Sequence, residues 1–459
     1  MVRRLSRRSL GAFLLPFPND EDEIPMRMSI GVGLDTAMNA RAWTPARLPS
    51  GVALTWLEGT LADLGSTDAG TGGVDGLSDS STVGYWTDRA AGKHLKQATS
   101  GARPIAGYSA LGRGVAVHGD GAARYLAAAS TIAGARHVFA DVCFRGGNDV
   151  RGAGDEPNNF QGQYQSYVAG DAIANPSSAL LVGNVSSNNL LDSSNLAGSY
   201  YKNGVLTSPA NVGRQRVWQV ARFSRNTEMD TGNLRVLTYP TNILWAQGAI
   251  RRLVVLHSSA TAAQISNVQA YMLRMARGTP VIACSIDSLS ACLGLAQNEA
   301  WPHLLWRNRY RGCVSVPNLG IPDRTLTTAT ADDPATLDSV AGTGRNILVL
   351  NGGVNDVLGG ADAATAWSRL QAYITMATAR GWQVVVCAPA DGTGYSGAHR
   401  AVLSTLRGLI AAGHVAAGCA GYVDLWAAAP ALLGDGIHYS TAGAITVADA
   451  VGVVVDTLL

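Results

Sequence analysis

Short apolar runs alternate with longer segments of helical spacing in the C-terminal two-fifths of the chain. The runs are rich in β-branched or aliphatic residues and cover positions 280–286, 313–316, 347–350, 384–387 and 422–425. Runs of this length and composition predict buried strands. Apolar positions at helical spacing occupy residues 364–379, 400–412 and 442–459. This alternation predicts a three-layer α/β domain over residues 279–459, with helices on both faces of a parallel sheet.

Residues 83–278 show a different pattern, in which many short apolar runs are separated by turn residues. The runs cover positions 137–144, 179–185, 199–201, 217–223, 234–239 and 250–257, and a helical segment follows at 262–277. Lys202-Asn203-Gly204-Val205 predicts a hairpin, because Asn-Gly accepts the positive φ angles of a type I′ turn. Many short antiparallel strands predict a β-sandwich. The chain is therefore expected to be multidomain.

The N-terminal 82 residues carry less pattern. Residues 1–64 are interpreted as an anchoring arm followed by a small attachment element, and the Gly-, Ser- and Asp-rich residues 65–82 as a connector. Residues 1–27 combine an Arg-rich half with an acidic half, which suits docking on another protein; simple disorder is the alternative. Arg7 and Arg8 hint at a twin-arginine export signal. Because Pro16 and Pro18 interrupt the apolar part, a cleavable signal is not expected.

The amino-acid composition gives no indication of binding to nucleic acid, a membrane or a metal ion. A net charge of +2 over 459 residues, with 15% charged residues, gives no indication of a nucleic-acid surface. No apolar stretch approaches the length that spans a bilayer. The six cysteines, at positions 143, 284, 292, 313, 387 and 419, lack Cys-x-x-Cys spacing. We therefore expect no metal site and interpret the cysteines as buried small hydrophobes, with an oxidised pair left open.

Polar residues that can support nucleophilic catalysis follow several of the predicted strands. Ser288 follows the first run, Asn355 follows the third, and Asp435 and His438 precede the last helix. A serine nucleophile needs an imidazole to take its proton and a carboxylate to hold the imidazole. Asp435 and His438 can lie on one face of a turn, so Ser288, His438 and Asp435 are predicted to form the catalytic set. Taken singly, Ser288 has an alternative role as a helix cap. Asn355, Asp435 and His438 have an alternative role as turn residues without catalytic function.

Four ordered motifs resemble those of the SGNH (GDSL-type) hydrolases. They are Ile286-Asp287-Ser288-Leu289-Ser290, Asn318-Leu319-Gly320-Ile321, Gly353-Val354-Asn355-Asp356 and Asp435-Gly436-Ile437-His438. The resemblance implies two-step acyl transfer through Ser288 without metal or organic cofactor. It also implies an oxyanion hole made by the backbone N–H groups of Ser288 and residue 323 and by the side chain of Asn355. Asp323 replaces the family's glycine at that position and Ile286 replaces another, and a carboxylate close to the oxyanion would oppose its charge.

A second, more diffuse resemblance concerns the predicted sandwich. Trp86-Thr87-Asp88, Leu95-Lys96-Gln97-Ala98, Arg103-Pro104 and Gly119-Asp120-Gly121, together with the helix after residue 257, are similar to concanavalin-like (laminin-G-like) jelly rolls. This resemblance implies glycan binding. The candidates for stacking on sugars are Tyr164, Tyr167, Tyr200 and Tyr201, although aromatic residues in strands more often pack in cores.

The combined expectation is a serine esterase that removes O-acetyl groups from a cell-surface polysaccharide. A jelly roll and an SGNH module behind an uncleaved N-terminal segment resemble bacteriophage tail or head-spike proteins. That resemblance implies a place on the virion surface, with the N-terminal segment bound to virion structural proteins. We also expect a homo-oligomer. Three alternatives remain: a secreted bacterial esterase, a receptor-binding or decoration protein with a degenerate hydrolase domain, and a lipase or thioesterase.

Overall fold

The computed structural model describes residues 43–77, 81–109, 114–120, 124–128, 131–144, 166–171, 179–183, 198–207, 217–231, 234–237, 247–296 and 299–459. The chain divides into two compact units, Met1–Trp43 and Thr44–Leu459. The predicted anchoring arm, residues 1–27, lies outside the described residues. No helix within the described residues is long and apolar enough to span a bilayer.

Two antiparallel sheets form the first part of the second unit. Their strands are β1 (Ala53–Glu58), β2 (Leu64–Gly65), β3 (Tyr85–Trp86), β4 (Leu95–Lys96), β5 (Ile105–Gly107), β6 (Ala116–Asp120), β7 (Leu126–Ala128), β8 (Ile132–Phe144), β9 (Ser166–Asp171), β10 (Ala179–Gly183), β11 (Gly198–Lys202), β12 (Val205–Thr207), β13 (Trp218–Thr231), β14 (Leu234–Val236) and β15 (Gln247–His257). The larger sheet has the order β12-β11-β13-β8-β15-β6-β5, with β1 also paired to β15; the smaller has the order β10-β9-β14-β7-β4-β3-β2. Both contribute to one hydrophobic cluster, which includes Val138 and Val255 of the larger sheet and Leu126 and Leu234 of the smaller.

These strands agree with the antiparallel pattern read from the sequence. β11 and β12 form the predicted hairpin, with Lys202 paired to Val205. Asn203 and Gly204 have φ angles of 51° and 88°, and both are positive, as a type I′ turn requires.

The structure corrects the predicted boundaries near residue 64. β1 pairs with β15 from Ala53 to Glu58, and β2 pairs with β3. Residues 53–65 therefore belong to the sheets and not to a separate attachment element. The segment predicted as a flexible connector is also partly held, because Thr67 Oγ1 donates to the carbonyl of Thr71 at 2.9 Å and Val74 is buried. Local composition could not show that β1 belongs to the larger sheet, since its partner β15 lies near residue 250.

A buried ionic network joins the sheets to the C-terminal part. The Arg251 guanidinium donates to both carboxylate oxygens of Asp141 at 3.0 Å and to Thr279 Oγ1 at 3.2 Å. Arg252 bridges Asp141, at 2.7 Å, and Glu58, at 2.9 Å. Around this network Trp218 and Ala249 of the larger sheet share a hydrophobic cluster with Val281 of the C-terminal part. The outer face of the larger sheet therefore packs against the C-terminal part in one hydrophobic cluster, which is separate from the cluster between the two sheets.

The C-terminal part is an α/β layer structure. Its parallel sheet has the order β16 (Val281–Ile286), β17 (Asn346–Asn351), β18 (Gln383–Ala388) and β19 (Gly421–Asp424). The α-helices of the described chain are α1 (Ala262–Ala276), α2 (Ser288–Ala291), α3 (Trp301–Leu304), α4 (Leu326–Val340), α5 (Val354–Leu358), α6 (Ala363–Thr378), α7 (Gly397–Gly413), α8 (Leu425–Ala428) and α9 (Thr441–Asp456). The predicted parallel sheet between helices is confirmed.

One of the five predicted strands is not a continuous strand. Residues 313–316 contribute only an isolated bridge between Ser315 and Val281, and a second bridge joins Asn318 to Cys284. Pro317 lies between the bridging residues and has no N–H to donate to a ladder, which accounts for the interruption. The segment still runs beside β16 and carries Asn318 toward the end of that strand.

Candidate active site

A sharp turn after β16 presents Ser288 at the carboxyl edge of the parallel sheet. Asp287 caps α2, its Oδ1 accepting the Leu289 N–H at 2.9 Å. Ile286 has a φ angle of 130°, which a β-branched residue rarely adopts. Gly352 makes space for it, because a Cβ there would lie 2.6 Å from Ile286 Cγ2. The backbone keeps a glycine-like conformation at residue 286 although the side chain is isoleucine.

The loop before α9 holds the imidazole. Asp435 Oδ1 accepts the backbone N–H groups of Ile437 at 2.9 Å and His438 at 3.0 Å, which closes a tight turn. Asp435 Oδ2 lies 2.7 Å from His438 Nδ1, and His438 Nε2 lies 2.9 Å from Ser288 Oγ. With its proton on Nδ1, the imidazole donates to Asp435 and accepts the Ser288 hydroxyl. The structure thus brings together the three side chains that the sequence singled out as a catalytic set.

The environment of Asp435 favours its anionic form. Partial burial raises the pKa of Asp435, but hydrogen bonds from the His438 side chain and from the N–H groups of Ile437 and His438 outweigh this and hold the pKa below its usual value. An anion next to Nδ1 keeps the proton on that nitrogen and leaves Nε2 as the acceptor.

A glycine-rich loop supports the His438 turn, and sequence analysis missed it. The Gly394 N–H donates to the Gly436 carbonyl at 3.1 Å. A Cβ at Gly394 would lie 2.2 Å from the Asp435 carbonyl oxygen, and one at Gly392 would lie 2.4 Å from the Gly436 carbonyl oxygen. Only glycine allows the loop to lie this close to the backbone of Asp435 and Gly436. The Gly392-x-Gly394 spacing was therefore the sequence signal from which this loop could have been identified.

The predicted oxyanion donors lie on three segments. Asn355 follows β17, and its Nδ2 donates one hydrogen to the Arg324 carbonyl at 3.1 Å, which leaves the second hydrogen for a ligand. Asp323 has a φ angle of 60°, so its backbone takes the left-handed conformation that favours glycine. Its side chain is exposed. Among the described residues, neither the Ser288 N–H nor the Asp323 N–H has a hydrogen-bond partner.

Buried charges fix the loop that carries Asp323. Asp356, adjacent to Asn355, accepts the Leu326 N–H at 2.9 Å. Arg324 donates from Nη1 to Asp333 Oδ1 at 2.7 Å, and Ser285 Oγ donates to Asp333 Oδ2 at 3.0 Å. The arginine and both aspartates are buried. Nothing in the spacing of Arg324 and Asp333 along the chain distinguished them from surface charges.

Other candidates from the sequence have different outcomes. Tyr200 is buried and stacks on Phe223 with ring centroids 4.6 Å apart, so it packs in the core and does not present a sugar platform. The Arg222 guanidinium lies over the Tyr201 ring, 3.3 Å from the ring centroid, and so covers one face of that ring. Tyr164 and the side chain of Tyr167 fall outside the described residues. All six cysteines are free thiols. In the part of the chain that the structure describes, no group of three or more His, Cys, Asp or Glu side chains could hold a metal ion.

Residues 287–444 match the sequence model of the GDSL-like Lipase/Acylhydrolase family. The matched segment contains Ser288, Asn355, Asp435 and His438. The C-terminal part of this chain is therefore a GDSL/SGNH hydrolase domain of the esterase type. None of the curated proteins matches the chain.

Several solved structures are similar to about two-fifths of the chain. A member of the lipolytic G-D-S-L family from Veillonella parvula is 15% identical, with 39% of this chain and 100% of that chain covered and a TM-score of 0.36. A putative lipolytic protein of the same family from Desulfitobacterium hafniense is 15% identical, with 39% and 99% covered and a TM-score of 0.32. An acetyl xylan esterase variant from Geobacillus stearothermophilus is 17% identical, with 39% and 95% covered and a TM-score of 0.33.

The buried Asp287 carboxyl makes stability depend on pH. Burial raises its pKa from 3.8 to about 7, and Oδ2 has no hydrogen-bond partner among the described residues. Because the pKa of Asp287 is higher in the folded than in the unfolded state, the neutral carboxyl favours folding at low pH. This contribution to stability is lost as pH rises from about 3.8 to about 7. Asp287→Asn keeps an oxygen for the Leu289 N–H and removes the charge. The free energy of unfolding of this variant, relative to the native protein, should therefore rise by at least about 1 kcal/mol between about pH 5 and about pH 8.5.

Urea denaturation at the two pH values measures this difference. Asp362→Asn is the matched control, because Asp362 also caps a helix, accepting the Thr365 N–H at 2.7 Å, but is exposed, with a lowered pKa. Its effect on stability should be the same at both pH values. A pH-independent effect of Asp287→Asn would show that the Asp287 carboxyl does not titrate in this range.

Proposed function

We propose that this protein is a serine esterase in which Ser288 is the nucleophile, His438 the general base and Asp435 the residue that orients His438. The observation that carries the proposal is the continuous hydrogen-bonded chain from Ser288 Oγ through both ring nitrogens of His438 to Asp435, at 2.9 and 2.7 Å. This arrangement has the connectivity that nucleophilic acyl transfer requires.

The reaction proceeds in two acyl-transfer steps. Ser288 Oγ attacks the ester carbonyl carbon while its proton passes to His438 Nε2, and the carbonyl oxygen becomes an oxyanion. Collapse of this intermediate breaks the bond to the alcohol, which leaves with the proton from His438, and the acyl group remains on Ser288. Water then attacks the acyl-enzyme with His438 again as base. The acid is released and Ser288 recovers its proton.

Three donors are proposed to stabilise the oxyanion: the N–H groups of Ser288 and Asp323 and the side-chain amide of Asn355. Two features support this role for Asp323. Its backbone already has a glycine-like φ angle, and its exposed carboxylate is accessible to water, which screens its charge. The Asn355 amide is held by its hydrogen bond to the Arg324 carbonyl, so the side chain needs little reorganisation when the oxyanion forms.

The substrate we propose is an O-acetylated cell-surface polysaccharide. The two antiparallel sheets support this choice if they form the glycan-binding, concanavalin-like domain that the sequence resembles. Because the larger sheet and the hydrolase part share one hydrophobic cluster, a glycan bound to that sheet would be held at a fixed place relative to Ser288. Such an arrangement raises the local concentration of ester groups.

The setting we propose is the surface of a phage or phage-like particle. The Arg-rich and acidic halves of residues 1–27 support docking on virion structural proteins, and a homo-oligomer fits that setting. A bacterial secreted esterase is the alternative. Mass spectrometry of the mature N-terminus separates the two, because an export signal would be removed whereas an anchoring segment would be retained.

A non-catalytic binding protein is the second candidate function. Ile286 and Asp323 favour it, since each replaces a family glycine. The two residues nevertheless keep positive φ angles of 130° and 60°, so the local backbone retains the shape that glycine would allow. The glycine-like backbone conformation at both positions, together with the hydrogen-bonded Ser288–His438 pair, favours the esterase.

Acetate release from an acetylated polysaccharide tests the proposed activity. Ser288→Ala should lower the rate by at least about 1,000-fold, because the acyl group has no other acceptor at the site. Circular dichroism of the variant should match that of the native protein, since only one oxygen is removed. Ser404→Ala, at an exposed serine of α7, is the control and should retain full activity.

The outcomes separate the candidate functions. No acetate release by the native protein, together with retained glycan binding, would favour the non-catalytic binding protein. Faster release from long-chain than from acetyl p-nitrophenyl esters would favour a lipase or thioesterase. Equal activity of the native protein and Ser288→Ala would refute Ser288 as the nucleophile.

The oxyanion donors have contrasting predicted effects. Asn355→Ala should lower kcat by about 100- to 1,000-fold, because it removes a donor that acts on the transition state. Asp323→Gly should raise kcat, by less than about tenfold, because the N–H stays and a water-screened carboxylate is removed. Steady-state kinetics on p-nitrophenyl acetate measures both. A loss of activity in Asp323→Gly as large as that in Asn355→Ala would show that the Asp323 carboxylate itself takes part in the reaction.

A further inference from the structure

Arg369 on α6 reaches the candidate active site through a buried carboxylate. Its side chain is 41% exposed, and its Nη1 donates to Asp356 Oδ1 at 2.9 Å. The Asp356 side chain is fully buried, and in the described part of the chain no other basic group pairs with it. A buried carboxylate needs a paired charge and hydrogen bonds, because its removal from water is costly. Arg369 therefore supplies the charge that balances Asp356.

The second carboxylate oxygen of Asp356 holds the start of α4. It accepts the N–H of Leu326 at 2.9 Å, and Leu326 is the first residue of that helix. The first N–H groups of a helix have no partner within the helix, and an anion is favoured at that end. Asp356 therefore joins α5 to the loop before α4, which carries the N–H of Asp323 three residues before Leu326.

A second hydrogen bond joins α5 to the same loop. Asn355, next to Asp356 on α5, donates from Nδ2 to the Arg324 carbonyl at 3.1 Å. Two bonds between neighbouring residues fix the spacing of the two segments and also their relative orientation. They therefore fix the distance between the two proposed oxyanion donors, which are the Asn355 amide and the Asp323 N–H.

The same face of α6 makes another contact that supports this loop. Tyr373 lies four residues after Arg369, and residues four apart share a helix face. The Tyr373 hydroxyl donates to Asp333, whose carboxylate also accepts the Arg324 guanidinium at 2.7 Å. Helix α6 thus contributes one hydrogen bond to each of the two buried carboxylates, Asp333 and Asp356, that hold the loop before α4.

We infer that Arg369 is a positioning residue for the proposed oxyanion hole, where it acts through Asp356 to set the spacing of the donors. This role rests on the proposed esterase function. Donors that are misplaced by about 1 Å lose much of their effect on a transition state, although the substrate can still bind. Without the guanidinium, the buried Asp356 charge is unbalanced. Its relief by protonation or by movement towards water weakens the bond to Leu326.

Steady-state kinetics of the full chain on p-nitrophenyl acetate tests this role. Arg369→Ala should lower kcat by about 10- to 100-fold and change KM by less than about twofold, because the donors act on the oxyanion and not on the bound ester. Arg369→Lys should restore kcat to within about fivefold of the native value, since the single contact from Nη1 to Asp356 needs a cation and not a planar fork.

Arg407→Ala is the matched control. Arg407 also lies on a helix, with 34% of its side chain exposed, and it donates to Asp424, which accepts the Ala427 N–H at the start of α8. This pair makes no hydrogen bond to the loop before α4 within the described residues. Arg407→Ala should therefore keep kcat within about twofold of the native value. Circular dichroism confirms that each variant is folded.

A double variant identifies the route by which Arg369 acts. In a chain that already carries Asn355→Ala, the further change Arg369→Ala should lower kcat by less than about fivefold, because residues of one network have non-additive effects. A double variant in which the two separate losses multiply would show that Arg369 acts independently of the Asn355 amide. That result would overturn the inference.

Hydrogen–deuterium exchange of the peptide that spans residues 323–328 gives a readout that needs no esterase activity. Arg369→Ala should speed exchange there, because the Leu326 N–H is held less tightly, whereas Arg407→Ala should not. Unchanged exchange or a native-like kcat in Arg369→Ala would refute the positioning role. If the native protein releases no product, the esterase proposal fails by itself. Faster exchange in Arg369→Ala would then still support the contact through Asp356.

Discussion

The hydrogen bond between His438 Nε2 and Ser288 Oγ joins two segments that lie 150 residues apart in the chain. It forms because parallel strands end at the same edge of a sheet, so the turn after β16 and the loop before α9 reach one place. Each partner is held by its own local contacts: Ser288 by the Asp287 cap, and His438 by the two backbone hydrogen bonds to Asp435 Oδ1. The site is therefore organised before a substrate arrives, and little reorganisation is needed during the reaction.

The second determining feature is the buried junction around Arg251. Its guanidinium contacts Asp141 in the antiparallel sheet and Thr279 at the entrance to the hydrolase, and it also covers the Trp218 ring. A buried charge that loses its partner is strongly destabilising, so these contacts tie the orientation of the two parts to their folding. A sheet fixed in this way cannot act as a freely moving tether.

The sequence was informative where structure follows from local pattern. Period and composition predicted the parallel sheet, and the Asp-x-x-His spacing identified the turn that brings Asp435 to His438. It was uninformative where long-range pairing decides. β1 reads as an isolated apolar segment because its partner β15 lies far along the chain, and Pro317 reduces the run at 313–316 to one isolated bridge. The Arg324–Asp333 pair was invisible for the same reason, since its burial depends on how α4 packs.

Covalent trapping with a fluorophosphonate tests the central claim most directly, because such a reagent phosphonylates a serine only when a neighbouring base activates it. The intact protein should gain one phosphonyl adduct, and peptide mass spectrometry should place it on Ser288. His438→Ala should slow labelling by at least about 100-fold, since Ser288 would lose its proton acceptor. An intact protein that stays unlabelled, or a label on a different serine, would contradict the account of this site as an assembled serine esterase.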